Sequence, residues 1–287
     1  MRVELILEGG GMRGAYTCGV LDCFMDKGIR FLDITAVSAG VAAAMYYVSG
    51  QKGSSLEILT KYASDKRYLS LENLLRNGSA FGLDFIFKTI PKKHILFNFE
   101  EFNTNNMNLT AVCTNVNTGK PHYELIDKLN DKLDYVIASA SLPIVSKSVK
   151  VDGLELLDGG IVDPIPIKRS TELFDRHVLV LTRNAGYRKN KNKSRRLIAA
   201  RFLLQSEFKE ILLTRHNIYN ESLELAESLE KEGKAIIIRP SQPLMIDRFE
   251  KNPEKLTNLY QMGYNDTLNK LNQLLDFCQE CDNVEKK

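Results

Sequence analysis

The sequence predicts an α/β fold with a mainly parallel central sheet and a helical C-terminal layer, and three observations carry that prediction. Short apolar runs alternate with helically spaced ones along most of the chain. The first two of these strand–helix units are joined by turns of small residues, and from Ser206 onward long helical patterns dominate.

The elements follow in order. Val3–Leu7 is strand-like, Gly9, Gly10 and Gly11 interrupt it, and Ala15–Met25 carries apolar residues at helical spacing. The same grammar recurs in Phe31–Val37 followed by Ala39–Val48, as expected of a doubly wound parallel sheet. Further strands are predicted at Met107–Cys113, His122–Ile126, Val149–Leu157, His177–Leu181 and Ala235–Ile238, and long helices over Ser206–Lys231 and Glu254–Cys278. A chain of 287 residues suits one large domain, here a core over 1–185 with a mainly helical extension, 186–287, packed on it.

Composition narrows the function classes. Hydrophobic residues at 44% and charged residues at 26% are those of a folded domain, which excludes extensive disorder. A net charge of +3, with no aromatic interleaving and no groove-entering motif, gives no support for a nucleic-acid partner. The five cysteines are odd in number and scattered, so a reducing, cytoplasmic setting is expected rather than a secreted disulfide scaffold. Glu4 and Glu8 interrupt the N-terminal apolar run, which therefore reads as a strand and not as a signal segment. The apolar stretch from Gly40 to Val48 is far short of the roughly 20 residues a membrane span needs, so any membrane contact is expected to be peripheral.

Three motifs point to chemistry. Ala36-Val37-Ser38-Ala39-Gly40 sets a serine between a strand and a helix of small residues, as in a nucleophile elbow, where the turn lifts the serine oxygen above the sheet and neighbours must be small. The plainer alternative is a serine that caps a helix. Gly9-Gly10-Gly11-Met12-Arg13-Gly14 opens the first helix, and its converging amides, with a helix N-terminus behind them, suit developing negative charge. Gly9, Gly11 and Gly14 also satisfy the G-x-G-x-x-G of a dinucleotide site with Asp33 as ribose acid. Asp33 stands too early for that role, because its strand pattern continues through Ile34 to Val37. Asp158-Gly159-Gly160 ends a strand and is followed by spaced prolines. A buried aspartate there could accept a serine proton, although Asp-Gly-Gly alone is more often a turn.

Together, an early GGGMRG, a serine turn where the second strand becomes a helix, and a later DGG resemble the patatin-like phospholipase family, especially its bacterial members. The segment Ala138-Ser139-Ala140-Ser141-Leu142-Pro143 and the prolines after the DGG are also similar, so the resemblance spans about residues 3 to 185. It implies a three-layer α/β/α patatin-like fold, a Ser38–Asp158 dyad, an oxyanion hole in the Gly9–Gly14 loop, an acyl-enzyme intermediate, lipid acyl esters as substrates and no metal or other cofactor for the chemistry. The departure is Ala36, where the family pattern has glycine. That departure is the only sequence support for a second reading, a lipid-binding or regulatory protein of weak turnover on the same fold.

Other features are weighed as follows. His94, His122, His177 and His216 belong to no motif with the serine. Three are expected at the surface or at caps, and His177 at a strand start. Cys278 and Cys281 form a C-x-x-C that lacks a second pair, so no metal site is assigned. The phenylalanines from Phe81 to Phe102 could line an acyl pocket or form a lid, with core packing as the plainer reading. The basic run Arg188, Lys189, Lys191, Lys193, Arg195 and Arg196 reads as a solvated loop that an anionic membrane surface would attract. Nothing in the sequence sets the oligomeric state, the acyl length or the substrate's head group.

Overall fold

The computed structural model describes residues 2–191, 202 and 205–282. Its centre is one sheet of β1 (Val3–Leu7), β2 (Asp33–Val37), β3 (Asn108–Asn115), β4 (Pro121–Leu125), β5 (Val149–Val151), β6 (Leu154–Asp158), β7 (Arg176–Val180) and β8 (Ala235–Ile238). The strand order is β5-β6-β3-β2-β1-β7-β8, with β4 also paired to β3. The run β3-β2-β1-β7-β8 is parallel throughout, and β4, β5 and β6 add an antiparallel edge. The mainly parallel sheet expected from sequence is therefore present.

The helices that position the site are α1 (Gly14–Asp26), α2 (Ala39–Val48), α3 (Leu129–Ser139), α4 (Ile167–Leu173), α5 (Ser206–Lys231), α6 (Pro253–Asn269) and α7 (Leu271–Asp282). Strand alternation sorts them into two layers. Leu5, Leu7, Val178, Val180, Ile236 and Ile238 pack with α1, α2, α6 and α7 in one core. Ile6, Leu179 and Ile237 face the other way and pack with Tyr219, Leu223 and Ala226 of α5. The C-terminal helices thus cover both faces of the sheet.

Helix α6 meets α1 backbone to backbone. A Cβ on Gly19 would fall 2.0 Å from the Tyr260 carbonyl oxygen, and one on Gly263 would fall 2.1 Å from that of Tyr16. Reciprocal bonds flank the crossing: Tyr16 Oη donates to Asp266 at 3.0 Å and Tyr260 Oη to Asp22 at 2.8 Å. No side chain can retreat from such a contact, so Gly263→Val is expected to lower unfolding free energy by about 3 kcal/mol or more, measured by urea denaturation. A cost under about 1 kcal/mol would contradict the close crossing.

Two expected elements are divided. Val149–Leu157 is a hairpin, not one strand, because Asp152 (φ 49°) and Gly153 (φ 77°) form a two-residue turn of the kind that needs positive φ at both positions. Glu254–Cys278 is two helices, separated at Lys270. Among the described residues no helix is long and apolar enough to cross a membrane.

Candidate active site

Ser38 joins β2 to α2 with φ 56° and ψ −121°, a conformation that costs a non-glycine residue about 1–3 kcal/mol. Its side chain makes no capping bond to α2, which removes the simple helix-cap reading. The strained turn is held from outside: the Ser38 N–H donates to Ser139 Oγ at 3.0 Å, and that hydroxyl donates to the Val112 carbonyl at 2.7 Å. Close approach then dictates residue size. A Cβ on Gly40 would lie 2.8 Å from the Leu7 carbonyl oxygen, and one on Gly14 would lie 2.9 Å from Ala39 Cβ. Ala36 is buried in the strand opposite Leu7 and Ala111, and the turn forms with its methyl group in place.

The glycine loop lies directly against this turn. A Cβ on Gly9 would be 2.8 Å from Ser38 Cβ, and Gly11 sits at φ 58° with the Arg248 carbonyl where a side chain would go. The structure narrows the loop's donors. Met12 N–H donates to the Arg248 carbonyl at 3.2 Å, Arg13 N–H to that of Gly10 at 3.3 Å, and Gly14 N–H is taken up by the carbonyls of Gly11 and Met12. The Met12 amide is thus taken up by the segment that carries Arg248, and those of Arg13 and Gly14 within the first helical turn. The amides of Gly9, Gly10 and Gly11 have no partner among the described residues.

Asp158 closes the other side. At 2% exposure, beside Ser38 at 7%, it is withdrawn from bulk water. Its backbone is fixed by Ser141, whose carbonyl accepts the Asp158 N–H at 2.8 Å, and by Thr114, whose hydroxyl donates to the Asp158 carbonyl at 2.8 Å. Gly159 is forced by the Val112 carbonyl, 2.1 Å from where its Cβ would stand. One carboxylate oxygen, Oδ1, accepts the Gly160 N–H at 2.7 Å, so the motif is also a turn. The other, Oδ2, is buried with no hydrogen-bond partner among the described residues. Burial pushes the carboxyl above the usual carboxylate range. The Ser38 hydroxyl opposes that most, ahead of the Arg215 charge and the Gly160 amide.

Ser38 stands where two cavities meet. An apolar pocket of about 100 Å³ is lined by Met12, Ala42, Tyr46, Tyr68, Phe81 and Phe87, among others. The phenylalanine-rich segment thus serves two roles at once: Phe81 and Phe87 are core residues and wall this pocket, with Phe85–Thr89 wound as a π-helical turn. The second cavity is polar, lined by Glu8, Arg13, Asp158, Lys189, Arg215 and Arg248 together with Gly9–Gly11 and Ser38. Sequence reasoning missed Lys189, Arg215, Arg248 and the role of Ser139. The charge pattern puts Lys189 on a solvated loop, but it turns inward, because Asn220 of α5 bonds both its N–H and its carbonyl. Arg188 pairs with Glu227 at 2.8 Å, while Lys193, Arg195 and Arg196 lie outside the described residues.

The histidines do not join the serine. His216 is half-buried: its Nδ1 is enclosed with no partner among the described residues, and it lines a pocket shared with Asp158 but not with Ser38. His122 stacks on Tyr135 and bonds Glu124. Asp33 starts β2, at the end of the sheet away from the glycine loop, and bonds Arg2 and Asn108, so the dinucleotide alternative lacks its ribose acid. Among the described residues no three His, Cys, Asp or Glu side chains gather as metal ligands. The Cys281 side chain lies outside the described ones.

The family model described as patatin-like phospholipase matches residues 5–169, and a second, described as a domain of unknown function, matches residues 205–279. Uncharacterized protein YjjU of Escherichia coli is 28% identical over 185 residues, covering 63% of this chain and 51% of that protein. Uncharacterized NTE family protein Mb1092c of Mycobacterium bovis is 27% identical over 170 residues, covering 58% and 44% respectively. The chain therefore spans about half the length of these curated relatives. Among solved structures, VipD from Legionella pneumophila aligns with TM-score 0.48 and 15% identity over 95% of this chain and 67% of its own.

Proposed function

This chain belongs to the patatin-like phospholipase family, and from that premise we propose that it is a serine-dependent lipid acyl hydrolase working through Ser38 and Asp158. Ser38 Oγ attacks the acyl carbonyl carbon as its proton passes to Asp158 Oδ2. The oxyanion takes hydrogen bonds from the Gly9–Gly11 amides, and collapse of the tetrahedral species expels the alcohol, which leaves with the proton from Asp158. Water, deprotonated by Asp158, then attacks the acyl-enzyme, and Asp158 returns that proton to Ser38 Oγ as the acyl–oxygen bond breaks and the fatty acid is released. No cofactor enters any step.

One observation carries this reading: among the described residues, a serine held at φ 56° has three glycine amides without a partner on one side and a buried carboxylate oxygen without a hydrogen bond on the other. A protein that only bound lipid would have no use for the strain or for the desolvated base. The apolar pocket supports an acyl chain as the bound group. Peripheral contact with a membrane surface belongs to the same reading, supported by Leu71 and Leu75, 77% and 86% exposed on one short helix.

The test is hydrolysis of a paired short- and long-chain acyl ester series. Wild type is expected to cleave both. Ala42→Phe, which fills the acyl pocket, is expected to lower the ratio of long- to short-chain kcat/KM about tenfold or more, as loss of two or three buried methylenes does. Absence of hydrolysis of every ester in the series would reject the reading in favour of a binding or regulatory protein.

A further inference from the structure

The polar cavity beside Ser38 holds more positive charge than ester hydrolysis requires. Arg13, Lys189, Arg215 and Arg248 line it, against two carboxylates, Glu8 and Asp158. Both acids are already engaged: Glu8 accepts the Thr182 N–H at 2.6 Å, and Asp158 accepts the Gly160 N–H at 2.7 Å. None of the four cations forms a salt bridge among the described residues. The segment 192–204, most of it outside the described residues, contains no aspartate or glutamate that could supply a counter-charge.

The cations are also held in place at a cost. Arg215 Nε donates to the Gly160 carbonyl, next to the proposed base. Lys189 has its backbone pinned by Asn220 and its ammonium 4.8 Å from the Tyr219 ring centroid. Arg13 is 5% exposed, and its Nε is buried without a partner among the described residues. Burial and mutual repulsion disfavour the charge on Arg13, Lys189 and Arg215 alike. Arg13 is buried and Lys189, Arg215 and Arg248 are half-buried; cations withdrawn from water without a counter-charge are expensive, and an anion that completes the site offsets that cost. Arginine forks suit phosphate oxygens in particular.

Resting on the hydrolase reading, we propose that Lys189, Arg215 and Arg248, all beyond the part of the chain that matches the patatin-like family model, form a subsite for a phosphate group on the substrate's head. The substrate is then an acyl ester whose phosphate carries no cationic substituent, since a surplus of two positive charges matches a phosphate monoester better than a phosphate already balanced by choline or ethanolamine. Ser38 lies between this subsite and the apolar pocket, so tail and head extend in opposite directions from the scissile ester. A further pocket of about 490 Å³ shares Asp158, Lys189, Arg215 and Arg248 and gives the head group room.

The experiment measures binding to the full chain carrying Ser38→Ala, which needs no turnover, by calorimetry with octanoylglycerol phosphate, neutral octanoylglycerol and inorganic phosphate. The phosphate lipid is expected to bind about 30-fold or more tightly than the neutral one, and Lys189→Gln and Arg248→Gln are each expected to cut that preference about tenfold, as loss of a charge-assisted hydrogen bond does. Equal binding of the two lipids overturns the subsite, as does a preference that survives the Lys189→Gln/Arg248→Gln double variant. Inorganic phosphate that binds as tightly as the phosphate lipid overturns the head-group assignment in favour of a free phosphate ligand. A wild type that hydrolyses no ester while the binding preference persists rejects the hydrolase and leaves the subsite standing.

Discussion

Ser38→Ala is expected to lower kcat/KM for a long-chain acyl ester by about 10³- to 10⁶-fold, the range seen when a nucleophile is removed and the surrounding donors are left in place. The substitution keeps the turn, because the bonds that enforce φ 56° run through the backbone: Ser139 Oγ accepts the Ser38 N–H, and Val41 N–H bonds the Ser38 carbonyl at 3.0 Å. Stability should therefore stay near wild type. Ser38→Gly separates strain from chemistry. Glycine adopts positive φ without steric penalty, so this variant is expected to be as inactive as Ser38→Ala but more stable by about 1 kcal/mol in urea denaturation. Retention of more than a tenth of wild-type turnover in either variant would exclude Ser38 as the nucleophile.

Asp158→Asn is expected to lower turnover about 10⁴-fold, as loss of the acidic partner does in other serine hydrolases. The amide keeps an oxygen to accept the Gly160 N–H, so the turn survives. Stability should move the opposite way from activity. The carboxyl is raised above the ordinary carboxylate range by burial, despite Ser38, Arg215 and Gly160. A native state that binds the proton more tightly than the unfolded chain is favoured while the proton is on, and loses that advantage as pH rises through the raised pKa. Above that raised pKa wild type therefore carries the cost of a buried charge. Asp158→Asn is expected to melt at higher temperature than wild type at pH 7, with the difference vanishing as pH falls below about 4. The wild-type rate should fall towards acid with a midpoint above the ordinary carboxylate value of 3.8. An Asp158→Asn protein that is less stable than wild type at pH 7 would show that the carboxylate's charge is a structural asset.

What was legible in the sequence was what is local. The elbow, the glycine loop and Asp158-Gly159-Gly160 each sit at the end of one strand, and the constraint on each glycine comes from a neighbouring strand or turn: the Leu7 carbonyl for Gly40, the Val112 carbonyl for Gly159, Ser38 Cβ and the Val37 carbonyl for Gly9. Parallel pairing of β1 and β2 then brings the first two together without further information. Ser139 was visible inside a recognisable segment, but its function as acceptor for the Ser38 amide depends on how α3 ends over β3. Lys189, Arg215 and Arg248 carry no pattern of their own. Arg215 is one charge on a long polar helix, and only the packing of α5 across the sheet brings it to Gly160. The hairpin turn at Asp152-Gly153 was in plain sight as an Asp-Gly pair, yet the apolar residues on either side read as one strand.

The most direct measurement is covalent: wild type, Ser38→Ala and Asp158→Asn are each treated with an alkyl fluorophosphonate, and the adduct is located by peptide mass spectrometry. A single adduct on Ser38 in wild type, none in Ser38→Ala and labelling slowed at least about 100-fold in Asp158→Asn is the expected result. A wild type that hydrolyses acyl esters while its adduct sits on another residue, or an Asp158→Asn variant that labels on Ser38 as fast as wild type does, would contradict the pairing of Ser38 with Asp158.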